Sequence, residues 1–88
     1  MKNTTKKRNK RLDPIIAEYL RHHRSANAQI AALGQLDHSY VSAVIARKKP
    51  PSRKFLLALD CFLAGQEARL MRVKLHSEHP EIEAAGAD

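Results

Sequence analysis

The stretch Asn27 to Ala46, NAQIAALGQLDHSYVSAVIA, constrains this chain more than any other. It holds two apolar helical patterns too short and too closely spaced to be anything but a pair of helices joined by a tight turn. Ile30, Ala31 and Leu33 are apolar in the first, and Gly34, Gln35 and Leu36 supply the bend. Asp37 is placed to cap the second helix, predicted over 38–46, in which Val41, Val44 and Ile45 form one apolar face. His38, Ser39 and Ser42 are then left on the outer side. Short helices can bury only one face, so such a pair needs further helices around it.

The flanking sequence supplies them. Asp13 followed by Pro14 is a helix start, with an acid to cap and proline in the first turn, where its missing N–H costs nothing. Ile15, Ile16, Tyr19 and Leu20 carry that helix to about Arg24, and Ser25 or Asn27 caps the next. Lys48-Lys49-Pro50-Pro51 stops helical structure. Ser52 caps a fourth helix bearing Phe55, Leu56, Leu59, Phe62 and Leu63, ended by Gly65. A fifth is expected over 66–76, its apolar residues Ala68, Leu70, Met71, Val73 and Leu75 covering more than one stripe. A small domain covers one stripe, so Leu70, Met71, Val73 and Leu75 are expected to meet a second subunit. No segment alternates as a strand would, and the expected class is all-α with five helices. Within the run FLLALDCFLA, the lone Cys61 reads as a buried structural thiol.

Charge is distributed unevenly. Of the net +7, residues 1–11 contribute +6 through Lys2, Lys6, Lys7, Arg8, Lys10 and Arg11, residues 12–76 contribute +5, and residues 77–88 contribute −4. This reads as a basic flexible arm (1–11), a folded domain (12–76) and an acidic flexible tail (77–88). A basic arm ahead of a basic domain is the electrostatic footprint of a polyanion binder. Ribosomal and membrane-surface proteins share that footprint, so charge alone does not select DNA. A helix with a small polar outer face does fit the major groove. On this reading His38, Ser39, Ser42, Ala43 and Arg47 face bases. Asn27, Gln29, Lys48, Lys49, Arg53 and Lys54 face phosphates, and Lys6, Lys7, Arg8, Lys10 and Arg11 form the arm. Tyr40 either covers the domain or reaches a phosphate. No arginine, glutamine or asparagine lies on the outer face from His38 to Ala46 to read guanine or adenine bidentately, though Gln29, Gln35 and Arg47 flank it, and this shifts weight to the arm, to water and to DNA shape.

The same stretch resembles the helix-turn-helix of the phage lambda repressor and Cro-like family. Ala31 stands where that pattern wants a small residue, and Ile30, Leu36, Val41 and Val44 where it wants apolar ones. Ser39, Tyr40, Val41 and Ser42 match a frequent Ser-Tyr-apolar-Ser run. Gly34 comes one place earlier than the family's glycine, so either the turn is shifted or Gln35 takes the left-handed conformation. The resemblance spans about residues 13–64. It implies a small transcriptional repressor, often encoded by a phage, plasmid or other mobile element, acting as a homodimer on a palindromic duplex operator in the cytoplasm at the nucleoid. An antitoxin-type interaction module that also binds DNA, and a non-specific nucleic-acid accessory protein, are the alternatives.

Other chemistries find little support. Adjacent His22 and His23 diverge on a helix, and His76 and His79 are followed by Pro80, so neither pair begins a metal site. Asp37, His38 and Ser39 are consecutive and cannot form a relay. With no phosphate loop, nucleophile elbow or framed carboxylate pair, neither enzyme activity, a cofactor nor a small-molecule ligand is expected. No apolar run reaches the roughly 18 residues a membrane span requires, and no apolar segment follows the basic N-terminus to make a secretory signal.

Overall fold

A computed structural model describes residues 11–82, and its elements are five α-helices with no strand among those residues. They are α1 (Pro14–Arg21), α2 (Ala26–Gly34), α3 (His38–Ile45), α4 (Arg53–Gly65) and α5 (Arg69–Glu78). The arm residues Lys6, Lys7, Arg8 and Lys10, and the tail from residue 83, lie outside the described residues.

Local chemistry sets three of the starts. The Asp13 carboxylate accepts from the Ile15 and Ile16 amides, with Pro14 in the first turn of α1. Asp37 accepts from the Ser39 amide at α3, and Ser52 Oγ from the Phe55 amide at α4. Ser25 precedes α2 without capping it, and its hydroxyl instead accepts from Gln29 Nε2 at 2.8 Å. Neither Ser25 nor Asn27 therefore acts as the side-chain cap expected at α2.

The ends of α2, α3 and α4 share one device. In each, a non-glycine residue takes a left-handed φ: Gln35 at 52°, Arg47 at 63° and Glu67 at 57°. The following amide then reaches back to close the last turn: Leu36 to Ala31 O at 2.8 Å, Lys48 to Ala43 O at 2.8 Å and Ala68 to Leu63 O at 3.0 Å. This is the Schellman arrangement, in which glycine is the usual left-handed residue. Here Gly34 and Gly65 are the last helical residues instead. Of the two turns left open by the sequence, the one with Gln35 left-handed is present. Gly34 serves another purpose, since a Cβ there would lie 2.9 Å from Leu36 Cδ1 and 3.1 Å from Ala58 Cβ. It lets α2 approach α4 closely.

The core gathers Leu12, Ile16, Leu20, Ile30, Val41, Val44, Phe55, Leu56, Leu59, Leu63, Leu75 and Ile82. Three expectations need correction. Cys61 is exposed, because α4 buries residues 55, 56, 58, 59, 62 and 63 and position 61 falls outside that arc. An unbroken apolar run hides that distinction. Of the expected subunit-contact residues, Leu75 is fully buried and Met71 packs on the core, leaving Leu70 (79% exposed) and Val73 (66% exposed) outward. The fold also continues past residue 76: α5 runs to Glu78, and His79 and Ile82 are buried. The acidic segment 77–82 thus belongs to the domain. Two ion pairs seat α5, Lys74 Nζ with Asp13 at 3.5 Å and Arg72 Nε with Asp60 at 3.2 Å.

Candidate nucleic-acid interface

One side of α3 is locked into the protein. Val41, Val44 and Ile45 are buried. Tyr40 donates its hydroxyl proton to Pro50 O (3.2 Å), accepts from the Ser52 amide (2.7 Å), and meets the Phe55 ring edge-on. Its single hydroxyl proton is therefore used within the fold, so of the two roles expected for Tyr40 the covering one is seen. The hydroxyl ties α3 to the start of α4 across the Pro50-Pro51 loop.

The other side of α3 is open. His38, Ser39, Ser42 and Ala46 are exposed and Ala43 half-buried, at positions that follow one face of a helix. Ser42 is held from α2, whose Asn27 Nδ2 donates to Ser42 Oγ at 2.7 Å. Two residues assigned in sequence to separate roles, base and phosphate, are thus brought together.

The C-terminal end of α3 is surrounded by arginine. Arg21 from α1 donates to Ile45 O at 3.4 Å, placing a cation at the negative end of the helix dipole. The left-handed backbone of Arg47 turns its side chain back, so that Nε donates to Leu12 O at 2.7 Å. Arg47 was expected to face bases; its Nε fastens the chain where the N-terminal arm begins, and the residue stays exposed. Lys48, Lys49, Arg53 and Lys54 are all exposed around the following loop.

Between α1, α2 and α3 lies an open groove of about 400 Å³, lined in part by Arg21, His23, Arg24, Asn27, Ser42 and Ala46. Arg21 also pairs with Glu18, which accepts from His22 Nε2 at 2.6 Å. The hydrogen bond from His22, then that from Arg21 and its charge, hold the Glu18 carboxyl below its ordinary value. Arg24 has no such carboxylate partner among the described residues, and gives the groove its positive character. Sequence reasoning assigned none of Arg21, His23 and Arg24 to the interface. They stand some 20 positions before Ser42, and only the packing of α1 against α3 brings them beside it. Gln29, spent on Ser25, takes no part in the groove lining.

Among the described residues no group of three or more His, Cys, Asp or Glu side chains is placed to hold a metal, and no helix is long and apolar enough to cross a membrane. No family model matches this chain, and neither a curated protein nor a solved structure does.

Proposed function

We propose that this protein is a duplex-DNA-binding transcriptional repressor of the lambda-repressor-like type, with α2 and α3 as its helix-turn-helix and α3 as the helix that enters the major groove. The observation that carries the reading is the open face of α3, where small polar side chains stand between a groove bearing Arg24 and a loop bearing Lys48 and Lys49. Small side chains allow close approach to base edges, and flanking cations take the phosphates that fix register. His38, Ser39, Ser42 and Ala43 face bases, while Arg24, Lys48, Lys49, Arg53 and Lys54 face phosphates. Two such domains act as a homodimer on a palindromic operator in the nucleoid, with Leu70 and Val73 contributing to subunit contact.

Selection of bound sites from random duplex DNA tests this. Enrichment of one inverted repeat with half-site centres about one helical turn apart, ~34 Å, is the expected result. Failure to enrich any duplex sinks the proposal. Leu70→Glu combined with Val73→Glu is expected to leave helicity intact, convert the dimer to monomer in sedimentation, and weaken operator binding. The same exposed strip favours the second reading, an antitoxin-type module. That reading gains if the double variant binds operator normally but no longer holds a protein partner encoded beside it.

A further inference from the structure

An isolated serine hydroxyl is a poor reader of bases. It rotates freely and can donate or accept, so it does not separate a base edge that offers a donor from one that offers an acceptor. Ser42 is not isolated. Its oxygen accepts the Nδ2 proton of Asn27 at 2.7 Å. One of its two lone pairs is then occupied and the bond it receives polarises the hydroxyl, so that its own proton becomes the stronger of the groups left on the exposed face of α3.

We propose that Asn27 is a positioning residue that fixes the polarity of Ser42, so that α3 presents a hydrogen-bond donor at this point and selects acceptor-bearing base edges. The inference rests on the DNA-binding reading and adds a specificity determinant to it. The surroundings of Asn27 support the orientation. Arg21 and Arg24 line the same groove as the amide, and their charges favour its carbonyl oxygen toward them and its NH2 toward Ser42. In the major groove a lone donor meets guanine N7 and O6, thymine O4 or adenine N7, and meets repulsion from the N4 amine of cytosine. The base facing Ser42 is therefore one that offers an acceptor, guanine and thymine before adenine, and not cytosine.

Changing Asn27 to aspartate reverses the arrangement. A carboxylate has no proton to give, so the Ser42 hydroxyl donates to it and turns its free lone pair outward. Cytosine, with its N4 donor, is then favoured over guanine and thymine. Asn27→Ala leaves the hydroxyl free to rotate and removes the preference. A carboxylate close to phosphates also weakens binding to every duplex, and the Asn27→Asp/Ser42→Ala double variant separates that general loss from the change in base choice.

The experiment is selection from random duplex DNA with the native chain, Asn27→Ala, Asn27→Asp, Ser42→Ala and the double variant, each checked for native helicity by circular dichroism. Affinities are then measured for duplexes varied at the one position that responds to Ser42→Ala. Preference for guanine or thymine over cytosine of roughly three- to tenfold is expected for the native chain, the worth of one neutral hydrogen bond. It falls to near unity in Asn27→Ala, inverts in Asn27→Asp and disappears in the double variant. A native preference for cytosine at that position overturns the assigned polarity. A preference that survives Asn27→Ala, or inverts in Asn27→Asp but persists in the double variant, shows that Asn27 does not act through Ser42. If no position responds to Ser42→Ala, the hydroxyl faces a phosphate and the inference fails while the DNA reading stands. If the native chain enriches no duplex, both fail.

Discussion

Gln35 and Gly34 stand in each other's expected places. The left-handed position that favours glycine holds glutamine, and the glycine beside it is helical because α4 comes close. The two substitutions should therefore act in opposite senses. Gln35→Gly relieves a left-handed side chain and is expected to raise stability by roughly 0.5–1 kcal/mol. Gly34→Ala gains helix propensity worth about 1 kcal/mol, but its methyl group meets Ala58 Cβ, which cannot rotate away without moving α4. Overpacking of this kind costs about 1–3 kcal/mol, so a net loss near 1 kcal/mol is expected. Chemical denaturation of the two variants checks both signs. If Gly34→Ala is stabilising, α2 and α4 have room that the 3.1 Å approach denies. The left-handed Gln35 was one of two turns the sequence left open, whereas the close approach of α4 to Gly34 was not legible there.

Helix starts were legible and helix registers less so. Asp13, Asp37 and Ser52 cap the helices that follow them, since a cap is a contact between near neighbours in the chain. The fifth helix begins at Arg69 and not near Gln66, because the left-handed Glu67 and the Ala68 amide complete the end of α4 first. Its docking on α4 depends on Asp60, which accepts from His76 Nε2 at 2.7 Å and from Arg72 Nε at 3.2 Å. Partial burial pushes the Asp60 carboxyl up, but the bonds from His76 and Arg72 outweigh it and hold the carboxyl below its ordinary value of 3.8. A carboxyl depressed in the folded state stabilises the fold above its unfolded value. That contribution is lost as pH falls through the folded value. Asp60→Asn is therefore expected to destabilise the protein at neutral pH and to flatten the loss of stability below about pH 4, where the unfolded carboxyl takes up its proton. Urea unfolding of both proteins from pH 2 to 7 checks this. Parallel curves would mean that Asp60 does not couple folding to protons.

At the scale of the whole molecule, the domain closes on itself through its two ends. Leu12 and Ile82 are both in the core, Asp13 is paired to Lys74, and Arg47 holds the Leu12 carbonyl. The segment after Glu78 therefore matters to stability although its composition is that of an acidic tail. Ile82→Ala is expected to cost about 2–3 kcal/mol, as for other buried isoleucines. Thermal unfolding of the variant beside the native chain measures it. Equal melting temperatures for Ile82→Ala and the native chain would remove the segment from the core.

The sequence alone determined the helical class, the number of helices, three of their caps and which side of α3 is apolar, because each follows from contacts within a few residues along the chain. The polar outer face of α3 and the basic loop after it were readable for the same reason. Tertiary structure decided everything that joins distant segments. It set Arg21 and Arg24 beside Ser42, paired Asn27 with that serine, used up the Tyr40 hydroxyl, turned Arg47 toward Leu12, exposed Cys61 and buried Ile82. Periodicity says which residues share a face of one helix. Only the packing of helices against each other says which face is covered, and which side chains from separate helices come within hydrogen-bond reach.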